Sequence, residues 1–335
     1  MNRLAVLATL VLVPPATGAT PEPTPEQVRA AVTRSLPLLR KGAAGYVEHR
    51  SCFSCHNQAL PLLALTTARD RGFAIDARDI DRQVRFTAAS LAKGRDGYRK
   101  GLGQGGQADT AGYALFALDA GGWKPDETTA AVVEYLLQRD KDQTHWRVMA
   151  SRPPSEASSF TTTYLALRAL RKFGTADQQK RIAERVAKVR KWLLATPAKD
   201  TEDRVFRLWA LKFAGAPEAD LRAAVKELVR TQRKDGGWSQ TDKLDSDAYA
   251  TGTALVALHR AGGLAVKEEV YRRGVQFLVA SQRPDGSWHV RSRSRPFQTY
   301  FETGFPHGKD QFISSAASGW AATALALASP PPAKK

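Results

Sequence analysis

Residues 219–263 read "ADLRAAVKELVRTQRKDGGWSQTDKLDSDAYATGTALVALHRAGG", and the stretch has two halves of different character. The first half places apolar side chains at three- and four-residue steps and fills its other face with charge, which predicts an amphipathic helix. From residue 250 onward the chain is nearly uncharged, which predicts a helix that is buried on most of its sides. The stretch therefore predicts a helix pair with one outer and one inner member.

The same alternation recurs along the chain. Six nearly uncharged runs end in glycine or another small residue, at 60–72, 111–122, 162–174, 205–215, 250–263 and 318–329. Their spacing is typical of helical repeats, and each has an amphipathic partner. The pattern predicts an all-α protein in which six inner and six outer helices form a closed two-layer ring, with almost no sheet.

Two short motifs carry a resemblance to a known family. "QRKDGGW" at 232–238 and "QRPDGSW" at 282–288 are QW-type repeats at the ends of outer helices, with degenerate copies near Asp96 and Trp146. They resemble the repeats of the terpenoid cyclase and protein prenyltransferase superfamily, which includes squalene-hopene cyclase. The resemblance implies one (α/α)6 toroid domain over residues 20–330, followed by a disordered basic tail at 331–335. We expect these repeats to join neighbouring helix pairs and not to catalyse.

The catalytic motif of the family is incomplete in this sequence, although the repeats are present. Class II terpene cyclases use a D-x-D-D motif, and the nearest match here, "DSDA" at 245–248, lacks the last acid. Asp247 and Asp109 each stand before an inner run, where an acid is first of all a helix N-cap. Aromatic residues on the inner runs are expected to be core, with a lipid-like ligand as the open alternative. The catalytic residues are therefore unknown, and cyclase activity is disfavoured.

The N-terminus predicts export. Arg3 precedes the apolar run "LAVLATLVLV", and small residues follow it, which is the pattern of a secretory signal peptide over residues 1–19. The run is about half of the ~20 residues that cross a bilayer, so we expect no stable membrane span. The mature protein is expected to be periplasmic or secreted.

The chain's two cysteines belong to one cluster, "SCFSCHNQ" at 51–58. Cys52, Cys55 and His56 have the C-x-x-C-H spacing of c-type haem attachment, in which two thiols bind the haem and the imidazole ligates its iron. A disulfide or a labile metal site is the alternative, while zinc needs more ligands than the motif offers. The motif predicts one covalent haem c. Because all outer-to-inner connections emerge on one face of the ring, the haem and these connections are expected to share one mouth.

His307 is the predicted second iron ligand. It lies in the long connection 284–313, and long loops are typical of lids and sites. His145 and Met149 are the alternatives, whereas His259 belongs to the opposite rim. Three arginines are predicted partners of the haem propionates: Arg291, Arg293 and Arg295.

The net charge of +17 suits an acidic partner. Nucleic acid is not expected for an exported protein, so an acidic redox partner, or an apolar or anionic small molecule at the mouth, is the predicted partner. The sequence thus predicts an exported monohaem protein that works in electron transfer or haem-dependent oxidoreduction. The alternatives are a terpenoid cyclase-like or lipid-binding protein without a functional haem, and an envelope scaffold.

Overall fold

The computed structural model describes residues 21–296 and 298–330, and these residues are mostly helical. The predicted signal peptide and the tail at 331–335 lie outside them. The helices are α1 (Pro25–His49), α2 (Leu60–Asp70), α3 (Ala77–Ala92), α4 (Arg95–Arg99), α5 (Gln107–Ala120), α6 (Glu127–Gln138), α7 (Ser159–Phe173), α8 (Gln179–Ala195), α9 (Thr201–Phe213), α10 (Glu218–Val229), α11 (Ala248–Arg260), α12 (Glu269–Ser281) and α13 (Gln311–Ala328). In the described part, two strands, β1 (Trp238–Ser239) and β2 (Ser246–Asp247), pair antiparallel.

The helices form a closed double ring. The inner ring consists of α2, α5, α7, α9, α11 and α13, and the outer ring of α1, α3, α6, α8, α10 and α12. The last inner helix packs against both α11 and α2, and α1 packs against α12. The first and last helix pairs therefore adjoin, and the prediction of twelve main helices in six pairs is confirmed; α4 is a short extra helix.

Burial separates the two rings as the charge pattern predicted. In α11 every residue from Ala248 to Leu258 is buried, whereas α12 buries only Tyr271, Gly274, Val275 and Leu278. The outer helix thus covers the inner one with a single face. Among the described residues, no helix is both long enough and apolar enough to cross a membrane.

Two hydrogen bonds stabilise the QW-type repeats: one holds the tryptophan on its own outer helix, and the other joins neighbouring outer helices. The indole N–H of each tryptophan donates to a carbonyl ten residues earlier, in its own outer helix: Trp146 to Leu136 (2.8 Å), Trp238 to Leu228 (3.0 Å) and Trp288 to Leu278 (2.8 Å). The glutamine reaches the next outer helix, since the side-chain amide of Gln232 donates to the Val270 carbonyl at 2.8 Å. Gln282 does the same to Ala31 of α1 and so closes the ring. The degenerate copy at Trp146 keeps the indole hydrogen bond, whereas its Gln138 donates to Glu134 of the same helix at 2.9 Å instead of joining the next outer helix.

The backbone requires glycine at position 236 in the repeat of Trp238 and at position 286 in the repeat of Trp288. Gly286 has a φ of +91°, and a Cβ there would lie 2.5 Å from the Arg34 carbonyl oxygen of α1. Gly236 is in the same state, with a φ of +86° and the Arg273 carbonyl oxygen at 2.5 Å. Only glycine combines this left-handed turn with so close an approach of two helices.

The axis of the ring is filled by aromatic side chains. Tyr164 packs against Phe206 and Trp209 with ring centroids 5.5 and 5.4 Å apart, and Phe206 reaches Trp320. These rings are buried, so they form core, as expected. Tyr113, also on an inner helix, differs because it lies at the end of the ring where the cavity opens.

Candidate functional site

A cavity of about 920 Å³ opens at one mouth of the ring. Its walls come from the connections that precede α2, α5, α7 and α13, from the N-terminal parts of α5 and α13, and from Tyr46 of α1 and Ser90 of α3. The expectation that the cysteine motif shares one face with these connections is confirmed. The volume lies within the range of about 300–1,000 Å³ that is usual for ligand and cofactor sites.

All three motif residues line this cavity. Cys52 is exposed, with its Sγ 3.5 Å from the Tyr46 hydroxyl, and Cys55 is buried. The two thiols are not joined in a disulfide. A π-helical turn over Cys55–Ala59 leads directly into α2, and Ser54 caps it by accepting the Asn57 N–H at 3.3 Å.

Cys55 and His56 form a buried cluster with Glu156 from the connection before α7. The Cys55 thiol donates to Glu156 Oε1 at 3.2 Å and lies 3.0 Å from His56 Nδ1. Burial raises the pKa of Cys55 well above its usual value, and the nearby Glu156 carboxylate adds to the shift. Burial lowers the pKa of His56, so the imidazole is neutral at pH 7.

The cluster has the ligand types of a metal site. One ligand atom from each of Cys55, His56 and Glu156 lies within 4.8 Å of the other two. The motif alone offers too few ligands for zinc, and Glu156 adds one from a segment 101 residues away. Nothing in the sequence singled out Glu156 beyond its place on the cavity face.

The residues at the cavity also fit covalent haem in type and placement. Two thiols and an imidazole face one space, as c-type attachment requires. Two hydrogen bonds would be given up on attachment, namely Cys55 to Glu156 and His56 Nε2 to the Ser155 hydroxyl at 3.1 Å. The two thiols and the imidazole therefore suit haem, provided that these two hydrogen bonds are broken on attachment.

His307, the predicted second iron ligand, does not line the cavity. Its Nε2 lies 2.7 Å from the Ser287 hydroxyl, and its ring stacks on His289 with centroids 4.7 Å apart. The reason is that the connection folds back onto α1, where Phe305 is buried against Gly42. That docking directs the following residues toward the repeat at Trp288 and away from the cysteine motif.

The two alternative ligands are also placed elsewhere. His145 stacks on Trp192 with ring centroids 4.0 Å apart, and Met149 is 55 % exposed. Neither residue lines the cavity. His259 is in the last turn of α11, at the rim opposite the mouth, as predicted, and its Nδ1 lies 2.9 Å from the Leu264 carbonyl oxygen.

Of the three predicted arginines, Arg295 lines the cavity. Arg293 instead donates from Nε to Gln240 Oε1 at 2.8 Å, and Arg291 is exposed and does not belong to the wall. Residues at i, i+2 and i+4 would share one face of a regular strand, but this segment is irregular and bends at Ser294, so the three side chains diverge. Three basic residues of the wall were not foreseen: Lys93, Arg152 and Lys309.

Carboxyl groups with raised pKa values lie at the N-termini of two inner helices. Asp247 caps α11 as predicted, and burial raises its pKa to about 6. The cap predicted at Asp109 was wrong, because α5 begins at Gln107 after Gly106. Asp109 instead accepts a hydrogen bond from Thr162 of α7, and burial raises its pKa to about 7.

Comparisons with known proteins agree with this architecture. Residues 200–316 match the squalene-hopene cyclase C-terminal domain. The chain is 30 % identical over 225 residues to squalene–hopene cyclase of Bradyrhizobium diazoefficiens, covering 58 % of this chain and 31 % of that protein. It is 27 % identical over 212 residues to drimenyl diphosphate synthase of Streptantibioticus cattleyicolor, covering 60 % and 38 %. The chain thus spans about a third of the length of these relatives.

Solved structures match along nearly the whole chain. The type II terpene cyclase MstE from Scytonema, in complex with geranylgeranyl dihydroxybenzoate, has a TM-score of 0.59 at 13 % identity and covers 91 % of this chain and 98 % of its own. A possible GH105 member from Klebsiella pneumoniae has a TM-score of 0.52 at 14 % identity, with 96 % and 98 % covered. The fold is therefore an all-α toroid of the terpene cyclase-like kind. The cysteine motif lies outside the region that matches the cyclase domain.

Proposed function

We propose that this chain is an exported c-type protein that carries one covalent haem in the mouth cavity of a cyclase-like toroid. The observation that carries the proposal is that Cys52, Cys55 and His56 all line one cavity of about 920 Å³. When bound, the haem supplies an iron centre for one-electron transfer or oxidoreduction. An acidic redox partner is proposed from the net charge of +17.

The chemistry of attachment is consistent with the state of the cluster. In attachment, each thiol would add across a vinyl group of the haem, with its sulfur and hydrogen both ending on the former double bond, so no oxidant would be needed. The raised pKa of Cys55 keeps that sulfur protonated, and the lowered pKa of His56 keeps its imidazole neutral and able to ligate iron. The basic residues Lys93, Arg295 and Lys309 suit carboxylates at the same wall.

A terpenoid cyclase-like or lipid-binding role is the second candidate. It is favoured by the Scytonema cyclase, a toroid of similar length whose substrate complex holds a geranylgeranyl compound. Asp109 and Asp247, with pKa values raised by burial to about 7 and about 6, are the acids this role would use. The incomplete D-x-D-D motif disfavours it.

The first test is the visible spectrum of the full chain, expressed with its N-terminal segment in bacteria that have or lack the cytochrome c maturation machinery. We expect haem that survives denaturation, one per chain, only when the machinery is present. Cys52→Ser and Cys55→Ser should each weaken attachment, and the double variant should abolish it. Ser51→Ala is the matched control, since it removes a hydroxyl next to Cys52 but outside the Cys52–His56 motif, and should leave the haem content unchanged.

Two results would contradict this proposal and identify what replaces it. A colourless protein with one bound zinc would show that Cys55, His56 and Glu156 form a metal site. A colourless, metal-free protein whose melting temperature rises with a geranylgeranyl compound would favour the second candidate. Asp109→Asn would then be the first variant assayed for cyclisation.

A further inference from the structure

Each imidazole other than His56, and the thioether of Met149, has a place away from the cavity in the described part of the chain. His289 contacts Asp310 at 2.8 Å and His307 contacts Ser287 at 2.7 Å, while His49 packs against Phe301 with centroids 5.1 Å apart. His145, His259 and Met149 lie at the positions described above. The imidazoles of the described residues other than His56 thus contact other groups, and the exposed Met149 does not line the cavity.

The charged residues of the cavity wall are predominantly basic. Lys93, Arg295 and Lys309 line it, together with Arg152, which is paired with Glu156. The first turns of α5 and α13 also contribute to the wall, and helix N-termini carry a partial positive charge. An anion entering this mouth is therefore favoured over a neutral molecule of the same size.

Tyrosines at the wall are poor competitors for the iron. Burial raises the pKa of Tyr46, with a contribution from Cys52, and Tyr300 beside Glu302 has a pKa raised to about 12. Both side chains therefore remain neutral phenols near pH 7, and an iron ligand of this kind would have to be a phenolate. These two phenols instead hydrogen-bond to groups of the protein. The third tyrosine of the wall, Tyr113, is buried, and its hydroxyl donates to the Ser155 carbonyl at 3.3 Å.

We infer that haem held by Cys52, Cys55 and His56 would take a small exogenous ligand at its iron, preferentially an anion drawn into the basic mouth. This inference rests on the proposed haem function and specifies its site as one that binds ligands in addition to any electron transfer. A volume of about 920 Å³ is near the upper end of the usual range, so it offers room beside a cofactor. Azide is the probe for the ferric state, and carbon monoxide is the uncharged probe for the ferrous state.

The experiment measures the spin state and both ligand affinities on haem-loaded protein. We expect a high-spin ferric spectrum at neutral pH, together with binding of azide and carbon monoxide. Lys93→Ala with Lys309→Ala should weaken azide roughly tenfold, as expected for the loss of two nearby positive charges, and should leave carbon monoxide within about twofold. Arg291→Ala removes one charge from the same connection as Lys309 but not from the wall, and should change neither affinity.

The outcomes separate the inference from the proposal on which it rests. Absence of covalent haem overturns the proposed function. Covalent haem that is low-spin and does not bind carbon monoxide overturns only the inference. A shift to high spin in His307→Ala or Met149→Ala would then identify the side chain that ligates the iron. Equal azide affinity in the double lysine variant and Arg291→Ala would overturn the preference for anions.

Discussion

Replacing Trp238 tests whether the repeats hold the ring together. The side chain is fully buried, its indole N–H donates to the Leu228 carbonyl at 3.0 Å, and its backbone N–H donates to the Thr251 hydroxyl at 2.9 Å. Truncating a buried tryptophan to alanine costs about 3–5 kcal/mol. Trp238→Phe keeps most of the apolar volume but loses this hydrogen bond, which costs about 0.5–1.5 kcal/mol, because the Leu228 carbonyl still accepts from the Thr231 hydroxyl at 2.7 Å. The volume left unfilled by the smaller ring adds to that cost.

The assay is urea unfolding followed by far-UV circular dichroism, with the free energy of unfolding compared at equal slope. Trp123→Phe is the matched control, because that half-buried indole donates to Asp126 at 2.9 Å on the surface. We expect the control to lose less than about 1 kcal/mol. The reasoning is refuted if Trp238→Phe is no less stable than the control, or if Trp238→Ala folds like the wild type and loses only ligand binding.

Three further changes address the turn, the buried acid and the thiol. Gly286→Ala should lower the melting temperature more than Gly263→Ala. Both glycines have a positive φ, but only at Gly286 would the added Cβ lie 2.5 Å from a carbonyl oxygen. Equal losses in melting temperature would mean that backbone strain alone matters. Asp109 has a folded pKa of about 7, raised above its unfolded value of about 3.9, so the folded state holds the extra proton and stability falls as pH rises from about 4 to 7. Asp109→Asn should flatten that dependence in melts between pH 5 and 7.5, and an unchanged slope would contradict the assignment. Glu156→Gln should lower the pKa of Cys55 and speed its alkylation by iodoacetamide in haem-free protein, whereas a slower reaction would show that the carboxylate does not act on this thiol.

The fold could be read from the sequence because its determinants are local and repeated. The charged segments form helices that are buried on one face, and the uncharged segments form helices that are buried on most sides. Six such pairs in succession predict the two-layer ring. The repeat at Trp146 was recognised from spacing alone, and its hydrogen bond to Leu136 has the same form as those of Trp238 and Trp288. The sequence predicted that the ring closes, but it did not predict the hydrogen bond from Gln282 to the Ala31 carbonyl, which joins residues 251 positions apart.

The site was only partly predictable. The face of the cavity followed from topology, since every outer-to-inner connection must emerge at the same mouth. His307 was chosen from loop length and position, but the docking of Phe305 onto Gly42 decides where that loop directs its side chains. Glu156 reaches Cys55 through folding of the connection before α7, and no spacing in the sequence encodes that contact.

Intact-mass spectrometry of the exported protein under denaturing conditions tests the central claim most directly. We predict one species whose mass exceeds that of the processed chain by one haem, and a Cys52→Ser, Cys55→Ser double variant that lacks the increment. A wild-type protein produced with the cytochrome c maturation machinery, and isolated at the mass of the bare chain, would contradict the account.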